Sequence, residues 1–263
     1  MSIKSKRVMD NGKLLRAVMC AFTLAFLIGA FFAPDLKEML PGLRRICLMP
    51  AQLTKDYFKP EIGSISGSML NYFLVGAVCC ALMFLPEAKV NGGPVLAFFL
   101  TLGFCSYGMS ILNIIPLMLG VAVYALIKKQ PFGKFLNFFM FATAVSPLIT
   151  QVLFYYPVMG ETPHLTLLGV VLALVIGVVV GCAMPALCAH SPGFHKGYDL
   201  YNAGPAAGFL CFFLFAVLYK IPGVEAPAIT ATLGDGNRMF VNVFCCVLFA
   251  LCVIGGLILN GGL

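Results

Sequence analysis

Seven apolar runs, each long enough to cross about 30 Å of hydrocarbon, decide what this chain can fold into. They cover residues 14–32, 67–85, 109–127, 135–156, 165–185, 200–219 and 239–259. Backbone immersed in lipid must satisfy its own N–H and C=O groups, so uninterrupted runs of this length read as helices. No Asp, Glu, Lys or Arg stands in the central part of any of them. Apolar residues make up 61% of the chain and charged residues only 10%, against about 25% charged in soluble domains. The expected fold is therefore all-α, a polytopic transmembrane helical bundle of seven or eight spans. The eighth candidate, residues 94–107, is apolar but short, bounded by Gly92-Gly93 and Gly108. It is either a further span or a re-entrant half-helix.

Charge sets the orientation and excludes several partners. The formal net charge of +7 gathers in short connections and in the first segment, at Lys4, Lys6, Arg7, Lys13 and Arg16. That pattern fits the positive-inside bias, and predicts a multi-pass protein of the cell (inner) membrane with a cytoplasmic N-terminus. The lipid bilayer is then the principal partner, and no nucleic-acid binding is expected. Residues 14–32 lack an Ala-x-Ala site behind them and read as a retained first helix, not a cleaved signal. The connection from 34 to 66 is the long polar stretch near the start, and within it 43–58 is expected to lie as an amphipathic helix on the membrane surface. The 11 cysteines are odd in number, sit mostly in apolar runs and show no Cys-x-x-Cys spacing. Neither a disulfide framework nor a metal site is expected, and no cofactor is implied.

One phrase occurs twice. Asn71-Tyr72-Phe73 with Cys79-Cys80 leads to Asn91-Gly92-Gly93-Pro94, and Asn242-Val243-Phe244-Cys245-Cys246 leads to Asn260-Gly261-Gly262. Paired, glycine-broken apolar segments in corresponding positions point to a transport site. With an even number of crossings between the copies, the internal repeat is expected to be parallel and truncated at the C-terminus. The organisation that follows is a first helix with an amphipathic surface segment (1–66), a first membrane repeat (67–190), and a connecting helix with an incomplete second repeat (191–263).

A solute pathway without buried charge must be built from amides, hydroxyls and backbone. The candidate solute-binding residues are Asn71, Asn91, Gly92, Gly93, Asn113, Asn202, Asn242 and Asn260, with Ser106, Ser110, Thr143, Ser146, Thr150 and Gln151 as further polar side chains. A helix starting at Asn91-Gly92-Gly93-Pro94 would aim free amide groups inward, whereas the plain alternative is a tight surface loop. Asn113-Ile114-Ile115-Pro116 is a second break, read either as a pathway element or as packing glue between helices. The stretch from Gly193 to Gly208 offers His195, Lys196 and Asp199 near a helix start, with Gly204 and Gly208 in small-xxx-small spacing. These five are candidate interface or gating residues; the alternatives are a solvated loop and an ordinary helix cap. No catalytic residues emerge, because no nucleophile, acid and base converge on one motif.

At His195-Lys196-Gly197-Tyr198-Asp199-Leu200-Tyr201-Asn202-Ala203-Gly204, together with the Asn91-Gly92 break, Gly103-Phe104 with Gly108, and Asn113-Ile114-Ile115-Pro116 followed by Gly120 and Tyr124-Ala125, the chain resembles the DUF1576 integral membrane proteins of bacteria. The resemblance covers roughly residues 56–263 and implies a duplicated architecture with no assigned activity. Family members look duplicated in full, whereas this chain lacks the second Gly-Phe and Asn-Ile-x-Pro elements. The leading expectation is a channel or secondary permease for a small neutral or anionic solute. The alternative is a membrane scaffold or assembly subunit, or a non-autonomous fragment that needs a homo-oligomer or a partner membrane chain. An enzyme is not expected.

Overall fold

Arg16 and Asp35 mark the two ends of the first helix and let the rest of the chain be placed. The computed structural model describes residues 11–49, 55–157, 162–198, 202–224 and 239–260. In α1 (Asn11–Phe32), Arg16 donates through Nε to Met83 O at 3.0 Å and through Nη2 to Ala88 O at 2.9 Å. A guanidinium there answers carbonyls that the end of α3 (Ile65–Leu82) leaves without helical partners. Just past the other end of α1, the Asp35 carboxylate accepts from Ile65 N at 2.7 Å and Ser66 N at 2.9 Å, capping the start of α3. The two helices are thus antiparallel, and Phe26 stacks on Tyr72 between them at 4.6 Å.

α4 (Gly92–Phe104) starts at the Arg16 end and continues as a 3-10 turn, Cys105–Tyr107. The chain then unwinds from Gly108 and returns as α5 (Ile115–Ile127). Both outer ends of this pair lie by the segment that starts with the 3-10 turn Phe132–Phe135: Gly93 of α4 adjoins the Asn137 side chain, Gly133 presses on Pro86 and Ala88 of the connection into α4, and the Phe135 ring meets Tyr124 edge-on at 5.4 Å. α4 and α5 therefore form a helical hairpin whose tip points toward the Asp35 end.

From that turn, α6 (Leu136–Phe141), the 3-10 turn Ala142–Val145 and α7 (Ser146–Tyr155) run as one broken segment toward the same end. α8 (Leu167–His190) runs back parallel to α5, with their backbones in contact. A side chain at Gly120 would collide with Val178 O, and one at Gly181 with Leu117 O, while Cys182 Sγ lies 3.0 Å from Gly120 O. Small residues permit this approach where lipid offers no hydrophobic drive to helix association. The short α9 (Pro192–His195) leads to α10 (Ala203–Tyr219), and α11 (Met239–Asn260) lies antiparallel on α1 through Phe26–Phe244 and Phe22–Phe249. One apolar core joins Phe22, Val75, Phe98 and Leu102; the other joins Val121, Ile149, Val180 and Met184.

Among the described residues every regular element is a helix, and there is no β-strand. Five segments are long and apolar enough to cross a membrane: Asn11–Phe32, Ile65–Leu82, Phe132–Tyr155, Leu167–His190 and Met239–Ile258. α4 with its 3-10 extension, α5 and α10 are apolar but shorter. Three boundaries differ from the sequence expectation. The helix expected over 109–127 begins only at Ile115, because Gly108 takes a left-handed φ of 97° and Asn113 binds the local backbone. The segment expected over 135–156 is broken by a 3-10 stretch before Ser146-Pro147. The amphipathic helix is α2 (Met39–Leu48) and it packs inward: Ile46 is fully buried with Tyr57 and Ile62, and Gly42 presses on Gly63 and Ser64.

Candidate functional site

The unwound hairpin tip, residues 108–114, holds the buried Ser110 and Asn113 and meets buried polar side chains of α3 and α7. Asn113 Oδ1 accepts from Ser110 N at 2.8 Å; Asn113 Nδ2 donates to Gly108 O and to Thr150 Oγ1 of α7, both at 2.9 Å. Asn71 of α3 donates through Nδ2 to Met109 O at 2.7 Å. Asn71, Ser110, Asn113 and Thr150 are all fully buried. One side chain from α3 and one from α7 thus satisfy backbone and amide groups that a broken helix sets free. Asn71 Oδ1 remains a buried acceptor with no hydrogen-bond partner among the described residues, and so does the Ser146 hydroxyl one turn before Thr150. An orphan acceptor in such surroundings costs about 1–3 kcal/mol.

α2 closes the tip from outside. Burial pushes the Cys47 thiol up from the ordinary value, and the nearby Ser110 side chain and Leu112 backbone partly offset that, while the buried Ser110 hydroxyl has no hydrogen-bond partner among the described residues. Tyr155 Oη donates to Leu48 O at 3.1 Å, fixing the end of α2 to the end of α7. On the hairpin's inner side, Tyr72 Oη shares a hydrogen bond with Ser106 Oγ.

Of the residues named from sequence, the fold brings Asn71 and Asn113 together at the tip, with Ser110 and Thr150. Asn91, Gly92 and Gly93 lie at the opposite end of α4, about 24 Å away for 16 helical residues. There Asn91 is exposed and N-caps α4, Oδ1 accepting from Gly93 N at 3.1 Å. Asn202 is exposed before α10, with Oδ1 2.9 Å from His195 Nε2. Asn242 is exposed on α11. Lys196 is exposed, and Gly204 and Gly208 lie on α10. Asp199 and the side chain of Asn260, with Gly261 and Gly262, fall outside the described residues. Sequence reasoning missed Asp35, Cys47 and Tyr155. Asp35 stands 30 residues before its partner Ile65 and Tyr155 lies 107 residues after Leu48, so no local pattern announces either contact.

Among the described residues no group of three His, Cys, Asp or Glu could hold a metal ion, and the described cysteines are free thiols. Long apolar helices around an uncharged, self-satisfied backbone break place the chain in the class of membrane-embedded helical proteins. Residues 35–220 match the model of DUF1576, described as a protein family of unknown function, and the chain belongs to that family. The matched stretch contains the hairpin, α2 and every polar contact at the tip. No curated protein and no solved structure matches the chain.

Proposed function

We propose that the chain is a channel or secondary permease for a small neutral or anionic solute, with the hairpin tip as its solute-facing element and α2 as the cover. The observation that carries this reading is the unpaired, fully buried Asn71 Oδ1 beside an unwound backbone between apolar helices. Broken helices at membrane depth supply solute sites in transporters, and this break has hydroxyls and amides but no charge. The α4–α5 hairpin re-enters from the side where both its ends lie, and α1, α3, α6–α7, α8, α10 and α11 cross. With a cytoplasmic N-terminus, Lys128, Lys129, Lys134, His190 and Lys196 then face the cytoplasm, in the sense of the positive-inside bias, whereas Arg44, Arg45, Lys55 and Lys59 fall on the opposite side against it. α3 and α11 run in the same direction against α1, which supports a parallel repeat. The two copies differ in burial, since Asn71 is enclosed and Asn242 is exposed.

The test is thermal stabilisation of the purified chain screened across small metabolites and anions. A stabilising solute that loses its effect in Asn71→Leu supports the reading; a complete screen without any shift overturns it. Cys47 reports the cover. Its raised pKa lowers the thiolate fraction near neutrality, so alkylation is expected to be slower than in the unfolded chain and to accelerate with rising pH. A bound solute that lifts α2 increases that rate at fixed pH.

A second reading, a membrane assembly subunit, is favoured by α11, of which only 6% is buried and whose Gly255 and Gly256 face open space. Stoichiometric copurification with a second membrane chain, without any solute response, would select it.

A further inference from the structure

Away from the tip, a half-open cleft of about 280 Å³ lies between α4, residues 141–144 and α10. Its walls are Leu100, Phe104, Phe141, Ala144, Ala207 and Gly208, so they offer carbon and almost no polar atoms. The hollow exists because α10 lines it with the small residues Ala203, Gly204, Ala207 and Gly208, while Phe209 and Phe212 stand exposed at an adjoining hollow that shares Gly208. A Cβ placed on Gly208 would meet nothing within 4 Å.

Water gains nothing there, since it needs two to four polar partners, and an empty hollow forfeits dispersion contacts along its whole lining. The size falls just below the range of ligand pockets, roughly 300–1,000 Å³, and suits a single slender chain. An apolar occupant is required, and around a membrane-embedded helix pair the apolar material at hand is acyl chain. The cleft's end at Ala203 is also marked by charge. His195 Nε2 lies 2.9 Å from Asn202 Oδ1, and Gly197 N donates to His195 Nδ1 at 3.2 Å. The first contact sets His195 against the start of α10, and Lys196, the next residue, is exposed in a left-handed conformation with φ 52°. An exposed basic residue next to His195, which contacts Asn202 just before the lining residue Ala203, suits an anionic headgroup.

We infer that this cleft is a lipid site that takes one acyl chain of an anionic phospholipid, with Lys196 meeting the headgroup. The site is separate from the hairpin tip and stands or falls without the transport reading. The full chain, delipidated in detergent, is titrated with phosphatidylglycerol and phosphatidylcholine of equal chain length while thermal stability is followed. Phosphatidylglycerol is expected to give the larger shift, and glycerol 3-phosphate, a headgroup without a chain, none. Gly208→Leu has open space at its Cβ, narrows the cleft and is expected to remove more than half of the shift for both lipids. Lys196→Gln is expected to equalise the two lipids while keeping the chain-dependent part. Equal shifts for both lipids in the unaltered chain, or an undiminished response in Gly208→Leu, would overturn the inference. Should Gly208→Leu not be recovered folded, the comparison of lysophosphatidylglycerol with glycerol 3-phosphate on the unaltered chain decides: equal responses overturn it.

Discussion

Asn91-Gly92-Gly93-Pro94 and Asn113-Ile114-Ile115-Pro116 share a spelling, with Asn three residues before Pro, and each opens a helix of the same hairpin. Their surroundings make them different devices. Asn91 sits at the outer end of α4, where its side chain caps one amide group and water is free to serve the rest. Asn113 is fully buried at the inner end, so every freed group must find a partner within the protein. Its amide accordingly spans three partners, two of them backbone atoms of its own tip and one on α7. Depth, not sequence, converts a cap into a clasp.

The largest consequence is expected at the inner break. Asn113→Leu strips partners from Ser110 N, Gly108 O and Thr150 Oγ1 at once, and is expected to destabilise the fold by about 3–5 kcal/mol. Thermal unfolding of the purified protein in detergent measures this; a loss no greater than that of an exposed cap would erase the distinction between the two breaks. The outer break is expected to respond as a cap does. Asn91→Ala should cost about 1 kcal/mol and Asn91→Asp almost nothing, because a carboxylate caps a helix N-terminus as well as an amide. Equal sensitivity to Asn91→Ala and Asn91→Asp would mean that the side chain serves something other than α4.

The helices themselves were legible because an apolar run of twenty residues has few alternatives, and the Asn113–Pro116 break was legible as a break. The unwinding from Gly108 was not: Met109, Ile111, Leu112 and Ile114 are as apolar as the helix that follows, and hydropathy says nothing about where hydrogen bonds go. Nor could sequence pair Asn71 with Met109 or Asn113 with Thr150, contacts 38 and 37 residues apart that depend on how α3 and α7 flank the hairpin. The amphipathy of α2 announced an interface without saying which. An apolar stripe satisfied by lipid and one satisfied by Tyr57, Ile62 and a hairpin tip look alike until Gly42 and Gly67 are seen bringing the two backbones together.

The smallest effect sharpens the comparison most. Thr150→Val keeps the volume of the side chain and removes one acceptor, while Asn113 Nδ2 retains Gly108 O at 2.9 Å. The expected loss is about 0.6 kcal/mol, the ordinary worth of an interhelical hydrogen bond in a membrane protein. Its value lies in the double substitution. If α7 holds the tip through Asn113 alone, Thr150→Val should cost nothing further once Asn113 is already Leu, and the cycle should return the whole 0.6 kcal/mol as coupling between the two sites. A Thr150→Val penalty that persists unchanged in the Asn113→Leu background would show that the threonine serves α7 itself. The inner break would then be closed by its own backbone, as the outer one is by water.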